Sequence, residues 1–79
     1  MERKEILLKV QDVFRDVLDN EELELQETMS AGDIEDYDSL SHIQLVVAIE
    51  KSFGIKFTSK EIMSWENIGS MIDSIESKL

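Results

Sequence analysis

Neither cysteine nor proline occurs in the 79-residue chain, and glycine occurs only three times. Without cysteine there is no disulfide framework, no thiolate nucleophile and no cysteine metal site. The single histidine cannot form a zinc site unless several carboxylates join it. Because proline and glycine interrupt helices, their scarcity favours an all-helical chain.

Long apolar runs are also missing. The longest uninterrupted one extends from Leu45 to Ile49, far below the ~20 residues of a membrane-spanning helix. The amino-terminal residues 1–5 lack the apolar segment of a signal peptide. We therefore predict a soluble cytoplasmic protein without membrane insertion. We also predict a monomer, because the helices need their apolar faces for one small core. Residues 1–79 suffice for one small domain, which leaves little room for a deep enzyme pocket.

Basic residues are scarce, since eight Lys and Arg oppose eighteen Asp and Glu, for a net charge of −10. This balance argues against nucleic acid and anionic membranes as partners and favours proteins with basic docking surfaces. Acidic character often serves solubility alone, but nine acidic residues and no basic one lie from Asp19 to Asp38. Much of the excess charge therefore precedes Ser39.

Apolar residues at helical spacing predict an all-α bundle of three main helices and one short helix. The first helix covers residues 2–18. The central helix begins at Ser39 and ends at Gly54, because glycine commonly follows a helix end. Thr58 and Glu61 have capping-box spacing for the short helix, and the last helix runs to about Lys78.

A long first loop, residues 19–38, joins the first two helices. It contains scattered apolar anchors, which we expect to hold it against the core: Leu23, Leu25, Met29 and Ile34. Further core positions are predicted in the second half of the chain: Ile62, Met63, Ile68, Met71, Ile72, Ile75 and Leu79. Trp65 is expected in the core or at its boundary.

The central helix is apolar around most of its circumference. At roughly 100° per residue, its polar stripe is narrow and contains Ser41, Gln44, Ala48, Lys51 and Ser52. We therefore expect neighbours on both flanks. Glu50 falls within the apolar arc, and a buried carboxylate needs hydrogen bonds. We predict that it accepts from backbone N–H groups near Ser59 to Glu61.

Ser39 stands at the predicted amino-terminal edge of this helix, directly after Asp38. Free backbone N–H groups and the positive end of the helix dipole meet there, which favours a phosphate group. The alternative interpretation is an unmodified capping serine.

The stretch from Tyr37 to Ile55 carries an extended motif. It reads Asp38-Ser39-Leu40, followed at fixed spacing by Ile43, Leu45-Val46, Ile49-Glu50 and Phe53-Gly54-Ile55. This motif resembles the acyl carrier protein family. Residues 58–72 are similar as well, with a short capped helix, a cap and then Asn-Ile-Gly, so the resemblance covers essentially the whole chain.

The resemblance implies that Ser39 bears 4′-phosphopantetheine, which a phosphopantetheinyl transferase attaches from coenzyme A. The thiol of this cofactor would carry acyl groups as thioesters to acyl-loading and acyl-processing enzymes of fatty acid, polyketide or related specialised acyl synthesis. Candidate residues for sheltering part of an acyl chain are Ile43, Val46, Val47 and Ile62, although an ordinary core position is the favoured interpretation for each of them. A peptidyl or aminoacyl carrier, such as a D-alanyl carrier, and an unmodified helical adaptor remain alternatives.

The residues around Ser39 suggest few other chemical roles. Asp38 is expected either to assist the transferase reaction or to cap the helix. A Ser39–His42 hydrolase would need a third orienting group and an oxyanion hole, so we predict no catalytic residue. A calcium loop formed by Asp33, Glu35, Asp36 and Asp38 lacks the glycine and glutamate of an EF-hand, so we predict no metal site.

Two residues depart from the family pattern. Carriers of primary fatty acid synthesis usually have acidic residues where this chain has Ser41 and Gln44. Partners that pair basic side chains with that stripe would lose contacts. The resemblance therefore points to a carrier dedicated to one pathway.

Overall fold

A computed structural model describes residues 2–34 and 37–79, and this part of the chain is helical with irregular connections. The helices are α1 (Arg3–Val17), α2 (Ser39–Phe53), α3 (Ser59–Ser64) and α4 (Ile68–Lys78), with a 3-10 turn at Ala31–Asp33. The predicted order of three main helices and one short helix is confirmed. None of the described helices combines the length and apolarity that a membrane crossing requires.

The core lies around α1, which packs against both α2 and α4, while α3 packs against α4. Its fully buried side chains come from α1, α2 and α4: Ile6, Val10, Phe14, Leu45, Ile49, Ile72 and Ile75. These residues recur every three to four positions along each helix, so each helix turns one face inward.

The prediction that α2 is buried on both flanks is wrong. Leu45, Val46 and Ile49 are buried, but Leu40 is 65% exposed, Ile43 61% and Val47 43%. The exposed side chains adjoin the polar stripe on the helix surface, and α1 covers only the opposite side. A domain of this size has too few elements to cover a helix all round.

The first loop is held against the start of α4 by two backbone hydrogen bonds. The N–H of Ile68 donates to the carbonyl of Met29, and the N–H of Gly69 donates to the carbonyl of Glu27, each at 2.8 Å. Gly69 permits this approach, because a Cβ there would lie 3.2 Å from the Glu27 carbonyl oxygen. The predicted anchoring is confirmed, with Leu25 and Ile34 buried and the other two anchors packed against the core.

The helix ends follow the predicted local signals. Gly54 adopts a left-handed conformation, with φ of 68°, which glycine reaches without steric cost. The capping box is complete, since Thr58 accepts from the Glu61 N–H and Glu61 accepts from the Thr58 N–H. Asn67 caps α4 by accepting from the Ser70 N–H at 2.9 Å.

Two predicted core residues lie at the surface instead. Met63 is 85% exposed and Leu79 is 56% exposed. Met63 lies in a helix of six residues, Ser59–Ser64, that turns only part of its surface toward α4, and Leu79 follows the last residue of α4. Met71 is buried, and Trp65 packs against the core from its boundary, both as expected.

Arg3 joins three parts of the fold through its guanidinium group. It pairs with Glu27 of the loop at 2.7 Å and with Asp73 of α4 at 2.6 Å, and it donates to the Gly69 carbonyl at 3.1 Å. Hydrogen bonds to Glu27 and Asp73 raise the pKa of Arg3 above its already high ordinary value. The network therefore fixes the start of α1 against the loop and α4.

We expect Arg3→Ala to lower the free energy of unfolding by about 1 kcal/mol, because charge-assisted hydrogen bonds are lost from a partly exposed site. Lys4→Ala is the matched control. It removes the same charge from an exposed residue that makes no ion pair within the described ranges. Urea unfolding of both variants measures the effect, and equal losses would contradict the bridging role.

Candidate functional site

Ser39 is the first residue of α2 and is exposed. Asp38 before it has extended backbone geometry and caps the helix, because its carboxylate accepts from the Ser41 N–H at 2.8 Å. The Asp38 carbonyl accepts the first intrahelical bond, from the His42 N–H at 2.9 Å. The cap therefore fixes the backbone on both sides of the serine and leaves its side chain facing solvent.

The charge of Asp38 is fixed by the same contact. The bond from the Ser41 N–H lowers the pKa of the Asp38 carboxyl below its ordinary value, so this group is ionised at neutral pH. The prediction that the N–H groups at this helix end lack partners is wrong for Ser41, because its N–H donates to the Asp38 carboxylate. A phosphate on Ser39 would share the helix end with this carboxylate.

An open depression of about 530 Å³ lies beside the serine and is lined by Tyr37, Asp38, Ser39, His42 and Ile43. Its lining includes the acidic side chain of Asp38 and the apolar side chain of Ile43. The serine hydroxyl thus opens onto a space that can take a flexible group with a charged end and an apolar body.

Tyr37 and His42 form the inner side of this depression. The Tyr37 ring stacks on Phe14 of α1 with 6.1 Å between centroids, and its hydroxyl hydrogen-bonds to Nδ1 of His42. Burial raises the pKa of the half-buried Tyr37, so the phenol keeps its proton at neutral pH. The sequence pattern assigns no role to Tyr37, because its only local signal is an aromatic residue directly before Asp38.

Trp65 stands on the far side of His42, with 6.4 Å between the two ring centroids. Its indole packs edge-on against Phe57 at 4.9 Å and donates from Nε1 to Oγ of Ser74 at 2.9 Å. The histidine ring is therefore held between two aromatic residues. Its Nδ1 is engaged by Tyr37, which is a structural arrangement and not that of a base activating Ser39.

A second space, about 130 Å³, lies beneath these rings between the loop, α3 and α4. Its lining combines apolar and polar side chains: Met29, Ser30, Ile34, Tyr37, His42, Ile62, Trp65, Glu66, Asn67, Ile68 and Met71. We call it the inner cavity. Of the four predicted shelter residues, Ile62 is the one in its lining. Ile43 and Val47 are exposed and Val46 is buried.

The Glu50 carboxylate accepts a hydrogen bond from a backbone N–H group, as predicted, but the donor is a different residue. Its Oε2 accepts from the Phe57 N–H at 2.8 Å, before the residues from Ser59 to Glu61 that the sequence suggested. The side chain is only partly buried. It stabilises the extended link to α3 and takes no part in the Ser39 site.

The acidic loop has local partners where it is described. Asp33 accepts from the Ser30 N–H at 3.0 Å, whereas Glu35 and Asp36 lie outside the described residues. Within residues 2–34 and 37–79, no group of three or more potential ligand side chains comes close enough to hold a metal ion.

A protein family described as "Phosphopantetheine attachment site" matches residues 8–75 of this chain. That range includes Ser39, the depression beside it and every residue lining the inner cavity. The match therefore extends over all of α2 and α3 and over about two thirds or more of α1 and α4.

Curated relatives are named acyl carrier protein. The one from Coprothermobacter proteolyticus is 30% identical and covers 100% of this chain and 96% of the relative. The one from Thermotoga maritima is 30% identical and covers 98% of this chain and 95% of the relative. The solution structure of the holo acyl carrier protein from Geobacter metallireducens has a TM-score of 0.86 at 36% identity, covering 92% of this chain and 84% of that chain.

The Asp38 cap predicts a pH effect on stability. Because the folded-state pKa of Asp38 is lowered, its stabilisation is present above the ordinary aspartate value of about 3.9. It is lost as the pH falls through the lowered folded-state pKa. Asp38→Asn keeps an oxygen that can cap the helix but does not titrate there.

We therefore expect the native chain to lose more stability than Asp38→Asn between about pH 7 and about pH 3. Thermal unfolding of both proteins measures the difference, since all other carboxylates titrate in both. A stability difference that does not change with pH would refute the charged cap.

Proposed function

This chain belongs to the acyl carrier protein family, and we propose that Ser39 is the residue that bears its cofactor. Members of the family carry acyl groups on covalently attached 4′-phosphopantetheine, so the chain is a carrier and not an enzyme. The observation that carries the proposal is the position of Ser39. It is the first residue of α2, and its side chain is exposed beside an open depression.

The residues around Ser39 fit the cofactor. The depression of about 530 Å³ gives the arm space to leave the helix, and Ile43 offers an apolar surface beside it. The chain has no cysteine, so the reactive thiol comes from the cofactor, which supplies thioester chemistry when bound. The protein holds the arm at Ser39 and presents it to other enzymes.

The partners are a transferase and acyl-processing enzymes, as the family implies. We propose that these enzymes dock on the free face of α2, where Leu40, Ile43, Gln44 and Val47 are exposed and uncharged. Asp38 and the acidic loop adjoin its start. A matching partner has an apolar groove that receives the free face of α2, and basic side chains that face Asp38 at the start of this helix.

We further propose that the chain serves a dedicated pathway. Gln44 is exposed on the free face of α2, where carriers of primary fatty acid synthesis present a carboxylate. Partners that recognise such a carboxylate would lose an ion pair. The test is turnover by a housekeeping ketosynthase, and normal efficiency on this carrier would contradict the dedicated role.

The alternatives are less favoured. Curated relatives over nearly the full length are named acyl carrier protein, which supports an acyl load over an aminoacyl one and a modified carrier over an adaptor. We propose that residues 1–79 act as one cytoplasmic, monomeric carrier domain. The shared core around α1 supports a single domain, and the net charge of −10 supports a monomer because it opposes self-association. Sedimentation at several concentrations tests the monomer.

The primary test is an intact mass after incubation with coenzyme A, magnesium and a broad-specificity phosphopantetheinyl transferase. We expect one addition of the phosphopantetheinyl mass, located at Ser39 by peptide mapping. Ser39→Ala retains the other serines and should gain nothing. A folded native chain that gains no mass would refute the attachment, as would equal modification of Ser39→Ala.

Docking on the free face of α2 predicts that a substitution there slows the transferase. Leu40→Ala should lower the kcat/KM of the transferase about tenfold, because burial of a leucine side chain contributes about 1.5–3 kcal/mol and ~1.4 kcal/mol corresponds to a factor of ten. Leu8→Ala is the matched control, since Leu8 is 50% exposed on α1. Initial rates of mass gain give the comparison, and equal losses for both variants would contradict docking at Leu40.

A further inference from the structure

Tyr37 and His42 line both the depression beside Ser39 and the inner cavity. This pair of side chains therefore lies where the two spaces adjoin. His42 lies three positions after Ser39 on α2, and residues at that spacing lie on the same face of a helix. Any group on Ser39 that enters the inner cavity by this route has to pass the pair, which we call the Tyr37–His42 wall.

The wall is held from both sides. Phe14 stacks on Tyr37, Trp65 meets the edge of His42, and the two wall residues hydrogen-bond to each other. With the Tyr37 hydroxyl donating to Nδ1, the neutral imidazole carries its proton on Nε2. Entry of a group would part the hydroxyl from the ring nitrogen in a half-buried place, where an unsatisfied donor or acceptor is costly.

That cost depends on the chemistry of the entering group. A saturated hydrocarbon chain offers nothing to the separated hydroxyl and imidazole. An acyl group with a hydroxyl, oxo or amide function close to its thioester replaces the lost hydrogen bond. Ser30, Glu66 and Asn67 in the cavity lining add further polar surface, so the space beyond the wall also suits such a function.

The size of the inner cavity sets a second limit. An apolar cavity of about 150 Å³ accommodates a benzene molecule, and the inner cavity measures about 130 Å³. It therefore holds about six non-hydrogen atoms, and the rest of a longer group stays outside it. Four carbons with a carbonyl and one further oxygen reach that limit.

We propose that the Tyr37–His42 wall selects the acyl groups that this protein shelters, favouring short ones with an oxygen or nitrogen function near the thioester over longer saturated ones. Shelter of an acyl chain is what the family resemblance implies. The selection, its size limit and the residues responsible are specific to this structure. The inference rests on the proposed attachment at Ser39.

The test loads Ser39 from 3-hydroxybutyryl-, butyryl- and octanoyl-coenzyme A with the transferase and confirms each product by intact mass. Trp65 is the only tryptophan and lines the inner cavity, so its emission reports entry. The 3-hydroxybutyryl form should shift the emission and raise the unfolding midpoint by about 4 °C or more over the form with the unloaded cofactor. The octanoyl form should leave both unchanged, with the butyryl form between.

Tyr37→Phe is the matched variant, because it keeps the stacked ring and removes the hydroxyl. In this variant the preference for 3-hydroxybutyryl over butyryl should disappear. A response to octanoyl at least as large as to 3-hydroxybutyryl, no response to any load, or a preference that persists in Tyr37→Phe would overturn the proposal. Absence of the mass gain itself would instead refute attachment at Ser39.

Discussion

The structure depends on two backbone hydrogen bonds between the first loop and the start of α4. The carbonyls of Glu27 and Met29 accept from Gly69 and Ile68, so N–H groups that would otherwise lack partners at a helix start hold the loop. With that loop fixed, Ile34 reaches the core and the chain approaches α1 just before α2 begins. The position of Ser39 therefore follows from contacts made far away in sequence, and not only from its own helix.

The carboxylates of the fold differ in whether a basic side chain pairs with them. Arg3 is committed to Glu27 and Asp73, where it compensates acidic groups that would repel each other within the fold. The carboxylate of Asp38 accepts from the Ser41 N–H and forms no ion pair with a basic side chain among residues 2–34 and 37–79, so its negative charge remains available at the surface beside Ser39. The fold thus pairs Glu27 and Asp73 with Arg3 where elements meet and leaves Asp38 exposed at the site, where in the proposed function a partner supplies the opposite charge.

The sequence was sufficient to predict the helices and the position of Ser39, because the determining signals are local. Gly54, the capping box at Thr58 and the apolar spacing in α1 act within a few residues. The exposure of Ile43, Val47 and Met63 was not predictable, since it depends on which faces the neighbouring helices cover. The Tyr37–His42 contact and the network of Arg3 were missed for the same reason, as both join residues whose proximity arises from tertiary packing.

The small size of the domain explains why apolar side chains of α2 are exposed, and this exposure bears on the proposed function. Helix α1 covers one side of α2, and the described chain has no further element to cover Leu40, Ile43 and Val47. Exposed apolar side chains next to the proposed attachment site mark a surface that another molecule covers for part of the time. In the proposed function, a partner enzyme covers them when the arm extends outward. When the load turns inward it meets the Tyr37–His42 wall instead, so the same helix end faces the partner on one side and the load on the other.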